Sequence, residues 1–148
     1  MFAKSWAATA ALCTLMFSSA ALADTRSFDG GWLFAKGDTT AEQAVFDDST
    51  WTKVDLPHDW AIAGPFDRDA PSTGSGGWLP TGVAWYRKHF TLPAADAGKR
   101  VFIEFDGVMD RSGVWINGHH VGHRPNGYSS FRYELTPHLT AGDNLISV

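Results

Sequence analysis

The sequence predicts an all-β fold, an antiparallel β-sandwich. Short runs rich in β-branched and aromatic residues recur along the chain, each followed by turn-forming residues. Within them apolar and polar residues alternate, as in "RVFIEFDGV" (100–108), where Val101, Ile103 and Phe105 fall on one face. No window of about eleven or more residues carries a helical apolar period, and no heptad or internal repeat competes with the strand reading.

The elements follow in order. "GWLFAKG" (31–37) is the first run, and "WTKVDL" (51–56) is the second, entered through Asp47, Asp48 and Ser49, which suit a turn. "AWYRKHFTL" (84–92), "RVFIEFDGV" (100–108) and "GVWI" (113–116) come next. Asn117-Gly118 then marks a hairpin, because a type I′ turn needs two successive residues that accept positive φ. "SFRYEL" (130–135) and "NLISV" (144–148) complete the set. His119, His120 and His123 lie just past the hairpin turn. Adjacent strand positions point to opposite faces, so His119 and His120 do not converge, and no metal site is expected there.

Residues 1–23 read as an address rather than as fold. Lys4 is their single charge, an apolar stretch runs from Trp6 to Phe17, and Ala21-Leu22-Ala23 supplies the small residues of a signal-peptidase site. Cleavage after Ala23 and export to the periplasm or medium are expected. A lipoprotein signal at Cys13 is the competing reading, and Leu12 before it is large for such a site. The apolar stretch is short for a membrane span. Residues 24–148 remain as one domain with enough chain for a core.

The formal charge is −4 and loses Lys4 with the leader, so no basic patch argues for nucleic acid or an anionic membrane surface. Cys13 is the chain's one cysteine and leaves as well, which excludes disulfides, thiolate metal sites and a cysteine nucleophile from residues 24–148. No cofactor is expected. Packing alone must hold the domain, and its many aromatics suit that.

One long irregular segment, residues 57–82, interrupts the pattern with Trp60, Phe66 and Trp78 among its prolines and glycines. Loops of this length in compact domains are commonly functional or disordered, and tryptophans argue against simple disorder. Trp60 or Trp78 suits a platform for the C–H face of a pyranose, or alternatively holds the loop to the sandwich. His58 and Asp59 suit sugar hydroxyls, or a turn in which Asp59 bonds nearby backbone N–H groups. Asp67, with Arg68, suits a cleft wall, or is a solvated loop charge. For Tyr86 and Arg87 a structural role is expected, since alternation sends one of them inward and an inward Tyr finds a hydrogen-bond partner. Asp106-Gly107 and Asp110 suit the turn before "GVWI".

"LPHDWAI", "GPFD", "AWYRKHFTLP", "KRVFIEFDGVMD", "VWINGHHVG", "GYSSFRYELTPHL" and "GDNLISV" together resemble, in order and spacing, the N-terminal sugar-binding domain of glycoside hydrolase family 2. The resemblance covers about residues 28–148 and is strongest to exported β-galactosidases. It implies a jelly-roll, galactose-binding-domain-like sandwich ahead of an immunoglobulin-like domain and a catalytic (β/α)₈ barrel. It also implies a retaining reaction carried by two barrel glutamates, one nucleophile and one acid/base. Glu42, Glu104 and Glu134 are the glutamates of this chain and sit in a polar connection and two strand runs. No catalytic residue is assigned among them.

On this reading the partners are a β-galactoside-type carbohydrate and the downstream catalytic domain, and Tyr128, after Gly127, suits a contact between domains. The family's sandwich continues past the strand that holds Val148, so a domain incomplete at its C-terminus, with an open edge and poor solubility, is expected. A stand-alone carbohydrate-binding module and a purely structural sandwich are the alternatives.

Overall fold

The computed structural model describes residues 24–148, and the leader expected over residues 1–23 lies outside the described residues. Eight strands form: β1 (Trp32–Lys36), β2 (Thr52–Val54), β3 (Ala84–Thr91), β4 (Phe102–Phe105), β5 (Ser112–Ile116), β6 (His119–Arg124), β7 (Phe131–Glu134) and β8 (Asp143–Ser147). All the pairings are antiparallel. Among the described residues the helical content is three short 3₁₀ turns. Each run read from the sequence contains a strand, and the hairpin adds β6.

The strands make a six-stranded sheet in the order β2-β1-β3-β8-β5-β6 and a two-stranded sheet of β4 and β7. The inward face of the large sheet carries Trp32, Val114, Ile116 and Ile146, and the small sheet meets them with Ile103. Phe28, Tyr86, Phe90, Phe105, Phe131 and Tyr133 close around this core. Alternation explains the small sheet: Ile103 is buried, while Phe102 and Glu104 on either side of it are exposed. Gly122 of β6 sets how closely the sheets approach, because a Cβ there would overlap the Tyr133 ring of β7.

Asn117 and Gly118 both have positive φ, at 50° and 83°, as a type I′ turn demands. Asn117 does more than turn the chain. Its Oδ1 accepts from Leu145 N (2.8 Å), and its Nδ2 donates to His138 O (2.8 Å) and Asn144 Oδ1 (2.9 Å). The hairpin is thereby fastened to the start of β8. A register shift between Val114 and Trp115 then re-aims β6, pairing Trp115 with His120 and Val114 with Gly122.

The outward face of the large sheet holds a second small core that local alternation does not foretell. Arg87 on β3 is fully buried there beneath the segment 38–51. Its Nη1 donates to Phe46 O (2.8 Å), its Nη2 to Gln43 O (3.1 Å), and Nη1 lies 2.9 Å from Asp48 Oδ2. Phe46 and Trp51 pack on the guanidinium with ring centroids 5.4 and 5.9 Å away, and Ala41 is wholly enclosed beside them. Both Tyr86 and Arg87 are therefore covered, on opposite faces of one strand, and the expectation that one of the pair points inward describes Tyr86 only.

β8 pairs with β3 from Arg87 to Thr91 and with β5 at Trp115 and Ile116, and Val148 exchanges backbone hydrogen bonds with Tyr86.

Candidate functional site

A groove of about 2510 Å³ runs along the open side of the sandwich, between the loop after β2, the start of β3, and β4 with the turn that follows it. That volume exceeds the roughly 300–1,000 Å³ of a small-molecule pocket, so a single sugar would engage one part of it. Leu56, Pro57, His58, Asp59, Trp60 and Tyr86 line one wall. Three of the five residues singled out in the sequence thus meet at this wall.

The wall is built from β1 outward. Phe34 and Tyr86 are register partners on neighbouring strands with centroids 5.0 Å apart, and the His58 ring packs edge-on against Phe34 at 4.8 Å. Tyr86 Oη lies 2.9 Å from His58 Nδ1 and 3.4 Å from His58 O. Burial, with a smaller push from the negative charge of Asp59, raises the Tyr86 phenol to about 12. The phenol therefore keeps its proton at any physiological pH. Asp59 Oδ1 accepts from Ala61 N (2.9 Å), an Asx turn that fixes the carboxylate at the loop entrance. Trp60 is partly covered by Lys36, whose ammonium sits 4.6 Å from its ring centroid.

Asp67 and Trp78 do not line the groove. They are tied to each other, Asp67 N donating to Trp78 O (3.0 Å), while Asp67 Oδ1 accepts from Asp69 N (2.9 Å). Trp78 has a φ of 52°, and its ring lies over Gly74, where a Cβ would come within 3.1 Å of Cζ2. In this arrangement Asp67 and Trp78 organise the distal part of the loop. Trp78 remains 44% exposed, so its free face is accessible at the loop surface.

His119 stacks on His138 with centroids 4.5 Å apart, and His120 packs against Trp115 at 5.2 Å, so the two adjacent histidines diverge. Among the described residues no group of three or more His, Cys, Asp or Glu is placed to hold a metal ion. Sequence reasoning missed the pairing of Tyr86 with His58 and the row formed by Trp85, Trp115 and His120, in which the two indoles lie 5.4 Å apart. Period-two alternation was the available signal for Tyr86. For the indole row there was none, because it depends on β8 separating β3 from β5.

The family model described as the glycosyl hydrolase 2 galactose-binding domain-like domain matches residues 32–148. The chain is 52% identical over 126 residues to the β-galactosidase BoGH2A of Bacteroides ovatus, an alignment covering 82% of this chain and 15% of that protein. It is 36% identical over 138 residues to a putative β-glucuronidase of Formosa agariphila, covering 93% of this chain and 13% of the relative. A β-glycosidase from Bacteroides vulgatus superposes with a TM-score of 0.79 at 46% identity, over 81% of this chain and 16% of that one. The chain therefore spans about 13 to 15% of the length of these two sequence relatives and matches their N-terminal part. With its antiparallel sheets and this match over residues 32–148, the chain belongs to the glycosyl hydrolase 2 galactose-binding domain-like family.

Proposed function

We propose that this chain is the N-terminal sugar-binding portion of an exported, β-galactosidase-like exo-glycosidase, with a jelly-roll sandwich that shapes the sugar subsite. The observation that carries this reading is the 52% identity to BoGH2A along 82% of the chain. His58, Asp59 and Trp60 at the groove wall support it, since they offer a donor, an acceptor and an apolar ring face, the combination that a pyranose uses. Export is supported by Lys4, the apolar stretch and the Ala21-Leu22-Ala23 site.

The chemistry belongs to two carboxylates outside this chain, acting by double displacement with retention. The role of these residues is binding: they orient a terminal sugar and exclude ligands that leave the His58 and Asp59 hydrogen-bonding groups unpaired. Asp67 and Trp78 support the loop that presents them, and the exposed Trp78 face is available to an extended glycan.

The natural gene product, captured whole and weighed by mass spectrometry, tests the reading. A mass several times that of residues 24–148, with hydrolysis of p-nitrophenyl β-D-galactopyranoside, is expected. In that protein His58→Ala raises KM by about tenfold, the loss of one or two ligand hydrogen bonds. A product of only the cleaved chain's mass, without hydrolysis, overturns the enzyme reading and leaves a binding module.

A further inference from the structure

We propose that Tyr86 is a positioning residue that donates its hydroxyl proton to His58 Nδ1, holding the imidazole in the Nε2–H tautomer and so presenting Nε2–H as a donor to a sugar oxygen in the groove. This rests on the sugar-binding reading above for the identity of the ligand, though not for the tautomer itself.

The geometry decides the direction of the bond. Tyr86 Oη has two acceptors within reach, His58 Nδ1 at 2.9 Å and His58 O at 3.4 Å. A good O–H···O bond lies at about 2.5–3.0 Å, so the carbonyl is a poor acceptor and the ring nitrogen a good one. The reverse arrangement, with Nδ1–H donating to the phenol, would leave the phenol proton that long carbonyl contact or the groove itself. With the phenol protonated and half-buried, Nδ1 is its best-placed acceptor within the protein. A neutral imidazole that accepts at Nδ1 carries its hydrogen on Nε2.

The ring orientation is fixed independently. Phe34 holds the His58 ring edge-on, and the Tyr86 ring is itself seated on Phe34. Among the described residues, no hydrogen bond engages His58 Nε2, while His58 is part of the groove wall. Asp59 beside it offers only acceptors, one of them already used by Ala61 N. The pair is therefore complementary: His58 donates to an oxygen, and Asp59 accepts from a hydroxyl. Without Tyr86 the imidazole could turn an acceptor to the groove, and the same sugar oxygen would meet a lone pair.

Two-bond proton–nitrogen correlation spectra of the full 148-residue chain, at about pH 8.5 where an ordinary imidazole is neutral, test this directly. His58 is assigned by its loss in His58→Gln. The expected pattern is one tautomer, protonated at Nε2 and bare at Nδ1, which collapses toward a mixture in Tyr86→Phe while the amide spectrum stays dispersed. A His58 protonated at Nδ1 in the unchanged protein overturns the proposal, as does a His58 pattern unaltered in a folded Tyr86→Phe. Should that variant unfold, the unchanged protein's tautomer still decides.

Titration of the whole gene product with methyl β-D-galactopyranoside forms the second arm. Affinity is expected to fall about fivefold in Tyr86→Phe, the value of one hydrogen bond. If the sugar fails to bind the whole gene product while the Nε2–H tautomer is seen in this chain, the sugar-binding reading fails and the positioning by Tyr86 stands.

Discussion

Arg87 shows how far one side chain can govern the surface of a sheet. Its guanidinium ties the carbonyls of Gln43 and Phe46 and the carboxylate of Asp48, which also meets His89 Nε2 at 2.8 Å. Desolvation lowers the Arg87 pKa and Asp48 opposes that shift, so the pair holds its charge under cover. Arg87→Ala would leave Asp48 and two carbonyls without their donor. A loss of about 3–5 kcal/mol is expected in chemical denaturation, and Asp48→Ala is costly as well, because it leaves the fully buried guanidinium without its carboxylate. Tyr86 gives a second expectation. Its folded pKa lies above its unfolded value, so its contribution is complete below about pH 10 and is lost as pH rises toward 12. Stability followed by tryptophan fluorescence should fall across that alkaline window, and Tyr86→Phe should flatten the fall.

At the scale of elements, the contact between the two sheets depends on an absent side chain. Gly122 of β6 admits the Tyr133 ring of β7, and β7 carries β4 with it. Gly122→Val would drive the small sheet outward. A two-stranded ribbon is marginal by itself, so the expected result is loss of amide exchange protection in β4 and β7 while β3 and β8 stay protected. A uniform loss across all eight strands would show instead that the sheets form one cooperative unit. The hairpin of β5 and β6 was legible from Asn117-Gly118 because its physics is local: two positive φ values, two compatible residues. That Asn117 also binds Leu145 and His138 was not legible, since those partners are brought to it by tertiary pairing.

For the whole molecule, the sandwich class was readable because seven runs carry strand-like composition or alternation, and alternation survives any arrangement of strands. The candidate wall was readable only in part. His58, Asp59 and Trp60 are adjacent in sequence, so a single polar-aromatic cluster announces them, and Tyr86 joins them through a contact across 28 residues. Asp67 and Trp78 have the same composition and end elsewhere, because loop course is set by turns that single residues do not specify. The burial of Arg87 was hidden for the same reason: it requires residues 38–51 to fold back over the sheet.

The place of β8 has a consequence for how the protein is made. Eighth in sequence, it stands fourth in space, between β3 and β5. Until Asp143–Ser147 leaves the ribosome, the large sheet exists as two separate halves, β2-β1-β3 and β5-β6, each with an additional raw edge, β3 in one and β5 in the other. At about 5–20 residues per second the nascent chain waits several seconds after β3 is made before its partner arrives, a delay in which a holding chaperone would protect it.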